Sequence, residues 1–121
     1  MAVLKVVNET RGTTLGDRVE LADGWWSRLR GLLGRTRLEP GSGLLLVPSR
    51  GVHMYGMSFS IDVAFLDDEG VVVALYPGLS PWSRTPFHPD ARAALELPSG
   101  TLSESGTQIG DRLKWTSSGA D

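Results

Sequence analysis

The stretch IDVAFLDDEGVVVALY, residues 61 to 76, constrains this chain more than any other: two β-rich runs flank a polar loop that ends in glycine. Branched and aromatic residues fit a pleated, half-buried surface, and Asp67-Asp68-Glu69-Gly70 favours a tight reversal, so the segment is committed to an antiparallel hairpin. We expect its strands over Ile61–Leu66 and Val71–Tyr76. The rest of the chain must pack around them.

Shorter β signals flank the hairpin. Val3–Val7 is a branched run that ends in the polar turn 8–14, and Arg18–Ala22 alternates polar with apolar residues. Leu44–Val47 is an apolar run closed by Pro48, Ala91–Leu97 is a further strand, and Arg112–Trp115 is the last before the polar tail 116–121. One helix is predicted over Trp25–Leu33: Asp23 precedes it as a cap, Trp25, Trp26, Leu29, Leu32 and Leu33 recur at helical spacing, and Gly34 stops it. Pro98–Gly110 reads as a turn-rich connection. PGLSPWSRTPFHPD, residues 77 to 90, carries four prolines and reads as a long irregular surface loop. Gly16-Asp17 and Gly110-Asp111 each precede alternating residues, an internal echo that predicts two tight turns launching strands. About seven short strands with one short helix predict a mainly β domain, a small barrel-like fold rather than a sandwich. No linker divides residues 1–121, so a single domain is expected.

Composition removes several kinds of chemistry. With no cysteine, the chain can hold neither disulfides nor thiolate metal sites, iron–sulfur clusters or cysteine nucleophiles. A net charge of −2, with acidic and basic residues interspersed, offers no footprint for nucleic acid. No apolar run approaches the ~20 residues of a membrane span, and MAVLKVVNETRG does not resemble a signal peptide, so a cytoplasmic protein is expected. Asn8-Glu9-Thr10 then matches a glycosylation sequon only formally. There is no phosphate-binding loop, no dinucleotide fingerprint and no serine in a nucleophile elbow. No cofactor is expected.

The residues that invite chemistry cluster in GVHMYGMSFSIDVAFL, residues 51 to 66. In extended backbone His53, Tyr55 and Met57 share one face, and the small residues Gly56, Ser58 and Ser60 leave room for a pocket. The plainer alternative has His53 bonded to a backbone carbonyl and Met57 filling a core gap. Asp62 and Glu96 each lie between strongly apolar neighbours and so point to the other face of their strands. If that face is covered, each needs an arginine or backbone amides, since an unpaired buried carboxylate is costly. His53 and His88, taken with Asp62, Asp90 and Glu96, lack the spacing of a metal site, and none is expected.

Taken in order, RLRGLLG, GLLLVPSRGVHMYGMSFSIDVAFLDDEGVVV, PGLSPW, ALELPSG and IGDRL resemble the bacterial and archaeal domain-of-unknown-function family 192 over residues 18–115. His53, Met57, Ile61, Asp62, Phe65 and Asp67 match its pattern, whereas Met54 stands where threonine is common and Ser60 where proline is common. The resemblance implies a compact, mostly β domain, and a bacterial source is expected. It transfers no activity.

Three functional readings follow. The leading one is a non-enzymatic module that holds a small polar ligand or a peptide in a cleft edged by His53, Met57, Asp62, Glu96 and the loop bearing Trp82 and Arg84. There Trp82 would stack on the ligand and Arg84 would pair a carboxylate. The second is a hydrolase or lyase in which His53 acts as base and Asp62 or Glu96 orients it. The third is a protein–protein accessory domain that uses a strand edge or the Trp25-Trp26 surface. The balance leans away from catalysis.

Overall fold

The computed structural model describes residues 2–24 and 31–117. Its seven strands are β1 (Val3–Asn8), β2 (Thr13–Ala22), β3 (Ser42–Leu46), β4 (Ile61–Leu66), β5 (Val72–Leu79), β6 (Ala93–Pro98) and β7 (Leu113–Ser117). A short helix, α1 (Thr101–Ser105), joins β6 to β7. The strands form one curled sheet in the order β5-β4-β6-β3-β2-β1-β7, a half-barrel in which only β2 and β3 run parallel. The curl brings the two outer strands together at one end. There the Val72 amide donates to the Asp111 carbonyl at 2.8 Å and the Leu113 amide to the Gly70 carbonyl at 2.8 Å.

The expected hairpin forms as read, and the reason is local. Asp67 Oδ1 accepts from the amides of Glu69 at 2.8 Å and Val71 at 2.9 Å, which fixes the reversal. Gly70 completes it with φ of 82°, and a Cβ there would meet the Leu113 carbonyl oxygen at 2.5 Å. The loop therefore needs glycine both for its dihedral and for the closure against β7.

β4 is buried on both faces, which explains its almost uninterrupted apolar composition. Ile61, Val63 and Phe65 enter an outer core with Leu44, Leu46, Val52, Met54 and Met57. Ala64 and Leu66 enter the core inside the curl, with Val6, Val19, Leu45, Leu95, Leu97 and Leu102. β6 alternates in the same way, so Ala94 packs outward while Ala93, Leu95 and Leu97 pack inward.

Several local expectations change. β5 extends through Pro77 to Leu79, into the segment expected to be irregular. β5 is an outermost strand with β4 on one side, so a residue without an amide hydrogen is tolerated there. Gly16-Asp17 lies inside β2 rather than in a turn, so the echo with Gly110-Asp111 fails. The Pro98–Gly110 connection contains α1, which capping chemistry from a distant strand makes possible. Of the helix expected over Trp25–Leu33, residues 25–30 lie outside the described residues, and Gly31–Gly34 is a turn.

At the closed end a polar cluster joins the turn after β1 to the start of β7. Asn8, fully buried, donates to Thr107 Oγ1 at 3.1 Å and to Asp111 Oδ2 at 2.9 Å, and Arg11 Nε donates to the same carboxylate at 2.8 Å. The Arg11 guanidinium, then Asn8, holds the Asp111 carboxyl down to about 2. Asn8 is thus sealed in protein, and the formal sequon at 8–10 is out of reach in the folded state.

Candidate functional site

The segment carrying His53 is not an independent strand. It zips against the proline-rich segment: the Met54 amide donates to the Ser83 carbonyl at 2.7 Å, the Trp82 amide to the Met54 carbonyl at 2.8 Å and the Thr85 amide to the Val52 carbonyl at 2.9 Å. Thr85 Oγ1 receives the Val52 amide at 3.0 Å, and His53 and Arg84 face each other across an antiparallel bridge. Two stretches without regular pattern in the sequence thus satisfy each other's backbone, which is what lets them sit folded over a sheet face.

Between that ribbon and the outer face of the sheet lies a cleft of about 370 Å³. Its walls are Leu32, Leu46, Val52, Met54, Met57 and Ile61; Leu33 and Tyr55 stand at an exposed rim; and His53, Ser49 and Glu96 supply its polar groups. The volume falls within the ~300–1,000 Å³ usual for small-molecule sites, and the mixture of apolar walls with a few polar groups is of the same kind.

Glu96 is the unusual member. It points outward from β6 between its cross-strand partners Leu44 on β3 and Val63 on β4, neither of which has a polar side chain. The residue is 6% exposed, and burial pushes its carboxyl up to about 7. No donor to that carboxyl occurs among the described residues. No buried side-chain oxygen or nitrogen among them lacks a partner, so the Glu96 carboxyl meets the rule by opening on the cleft that it lines.

His53 is exposed and stacks on Tyr55 with ring centroids 4.9 Å apart. No carboxylate among the described residues hydrogen-bonds it, so the pairing that a His53 general base would need is not assembled. Met57, 8% exposed, packs with Met54 in the outer core and also borders the cleft, and the turn at Gly56 takes it off the face that His53 and Tyr55 share, contrary to the extended alternation expected.

Asp62 is elsewhere. It points into the curl, 1% exposed, and accepts backbone amides from Gly78 at 2.8 Å, Gly100 at 3.1 Å and Leu102 at 2.9 Å. Gly100 caps α1 without a side chain, so a carboxylate from β4 performs the capping from across the fold. The amides foreseen as one answer for a buried Asp62 are present. Its place in the cleft is not.

Trp82 and Arg84 belong to the irregular segment opposite His53 but do not line the cleft. Trp82 is 68% exposed with φ of 67°, a left-handed conformation that is costly for an aromatic residue. His88 lies behind the ribbon, with Nε2 2.6 Å from Tyr76 Oη and its ring 4.7 Å from that of Phe65. Among the described residues no three histidine or carboxylate side chains are grouped as a metal site would require. Sequence reasoning passed over Ser49, Tyr55 and Leu33 as cleft residues. Tyr55 alone carried a signal, the alternation that places it beside His53.

The chain matches the model of domain-of-unknown-function family 192, described as uncharacterised ACR, over residues 6–115. A UPF0127 protein of Thermococcus sibiricus is 34% identical, covering 91% of this chain and 73% of the relative. A second, from Pyrococcus abyssi, is 29% identical over 91% of this chain and 96% of the relative. These relatives are archaeal and lend no support to the bacterial source expected. Among solved structures, a Novosphingobium aromaticivorans protein of unknown function superposes with a TM-score of 0.79 at 23% identity, covering 93% of this chain and 84% of that one. A Sinorhizobium meliloti protein described as a candidate transcription regulator gives 0.77 at 25% identity, covering 94% and 92%. No helix among the described residues is long and apolar enough to cross a membrane.

Proposed function

The chain belongs to domain-of-unknown-function family 192, which has no assigned activity, and we propose from its own geometry that it is a binding module for a small molecule in the cleft beneath the His53–Met57 segment. The observation that carries the reading is Glu96: a buried carboxyl without a donor among the described residues, at the end of an apolar cleft of about 370 Å³. A fold gains nothing from such a group unless something completes it. The apolar walls favour a ligand body that sheds water, and Glu96 with His53 gives it orientation. His53 serves as a recognition group at the mouth rather than a base, because it lacks an orienting carboxylate among the described residues. Trp82 and Arg84 lie outside the cleft and are given no part in it. A net charge of −2 gives no support for extending to this chain the regulatory role described for the Sinorhizobium protein.

Benzyl alcohol titrated into isotope-labelled protein tests the reading by amide chemical shifts. Shifts concentrated at residues 51–57 and at Glu96 are expected. Shifts centred elsewhere, such as the polar groove beside Thr13–Asp17, or no saturable shift, would overturn it.

A further inference from the structure

We infer that the cleft selects a protonated amine carried on an apolar body; the inference deepens the binding reading above and rests on it. The groups around Glu96 leave little choice of head group. From β3 and β4 it is flanked by Leu44 and Val63, and Leu46, Met57 and Ile61 line the same cleft. The other titratable side chains among the described cleft residues are His53 and Tyr55, stacked on each other beside the mouth, and no lysine or arginine is among them.

An ionised carboxylate is an acceptor only, and an ammonium group is a donor only, with three hydrogens and no lone pair. A charge-assisted bond between the two is about twice as strong as its neutral counterpart. Folding leaves the Glu96 residue 6% exposed, so an incoming cation supplies an interaction that the described residues leave unmade. A neutral hydroxyl can donate one weaker bond to the same oxygens. A ligand carboxylate would set like charges together in an apolar cleft and be rejected. The walls then select the body: an alkyl chain or a single ring fits, whereas a fully polar amine would leave them unfilled.

Three ligands of nearly equal shape separate the possibilities: benzylamine, benzyl alcohol and benzoate, each titrated at pH 8 into the wild type and Glu96→Gln, with dissociation constants from the shifts of the cleft amides. Benzylamine is expected to bind wild type at least about tenfold more tightly than benzyl alcohol, and to lose that advantage in Glu96→Gln, which keeps an acceptor but not the charge. If benzyl alcohol or benzoate binds the cleft as well as benzylamine does, the amine preference is overturned while the cleft stands as a binding site. A benzylamine preference that persists in Glu96→Gln overturns it equally, because the cation is then held elsewhere. If none of the three moves the cleft amides, the binding reading itself fails and takes the amine with it.

Discussion

Asp62 and Glu96 are near neighbours in the sheet, since Asp62 pairs with Leu97 and Glu96 with Val63 along the same two strands. Both are buried carboxylates, yet their circumstances are opposite. The two-residue period turns Asp62 into the curl and Glu96 out of it. Inside, the first turn of α1 and the β5 extension bring three backbone amides to Asp62. Outside, the ribbon of residues 49–57 lays Val52, Met54 and Met57 along the cleft that Glu96 lines, and its Val52 and Met54 amides are spent on Thr85 and Ser83. One carboxylate is therefore part of the architecture. The other has no donor among the described residues and opens on the cleft.

Breaking the inner carboxylate should have the larger effect. Asp62→Ala leaves three amides without their acceptor and is expected to cost about 3–5 kcal/mol, a large share of a small domain's stability. Urea denaturation measures it directly, and a loss below ~1 kcal/mol would mean that water replaces the carboxylate and that the contrast between the faces is illusory.

Replacing the outer one should have the opposite sign, and only at high pH. Because the folded carboxyl binds its proton more tightly than an unfolded glutamate (about 7 against 4.5), wild-type stability falls as pH rises through that window and levels off above it. Glu96→Gln removes this loss. The variant should match wild type near pH 4.5 and exceed it by roughly 2–3 kcal/mol at pH 8. A difference that did not change with pH would sink the idea of an unpartnered Glu96.

The smallest effect is expected at the mouth of the cleft. His53 is exposed and hydrogen-bonds no side chain among the described residues, so His53→Ala should alter stability by less than about 0.5 kcal/mol. A loss comparable to that of Asp62→Ala would make His53 a structural residue and remove it from the site.

Much of the fold was legible because its determinants are local. The hairpin was specified by Asp67, Gly70 and the runs beside them, and the β3 and β6 strands by their apolar runs. α1 was illegible because it is short and its N-cap, Gly100, has no side chain; the carboxylate that caps it is Asp62 on β4, far away in sequence. The polar cluster of Asn8, Arg11 and Asp111 was hidden for the same reason. The site was half legible: the small residues left room beside His53 and Met57, but the turn at Gly56 breaks the extended alternation and separates Met57 from His53 and Tyr55, and the carboxylates carried only a condition to be met if their faces were covered.

By itself the sequence determined the hairpin and the mainly β character, and it set a condition for Asp62 and Glu96 should their faces be covered, because propensity, alternation and turn chemistry act between residues close in the chain. Only the tertiary structure decided which carboxylate met backbone amides and which opened on a cleft. That depended on what the chain laid over each face of one sheet, α1 and its first-turn amides on the inside and a ribbon whose Val52 and Met54 amides pair with Thr85 and Ser83 on the outside, and contacts between such distant segments leave no periodic trace in the residues that make them.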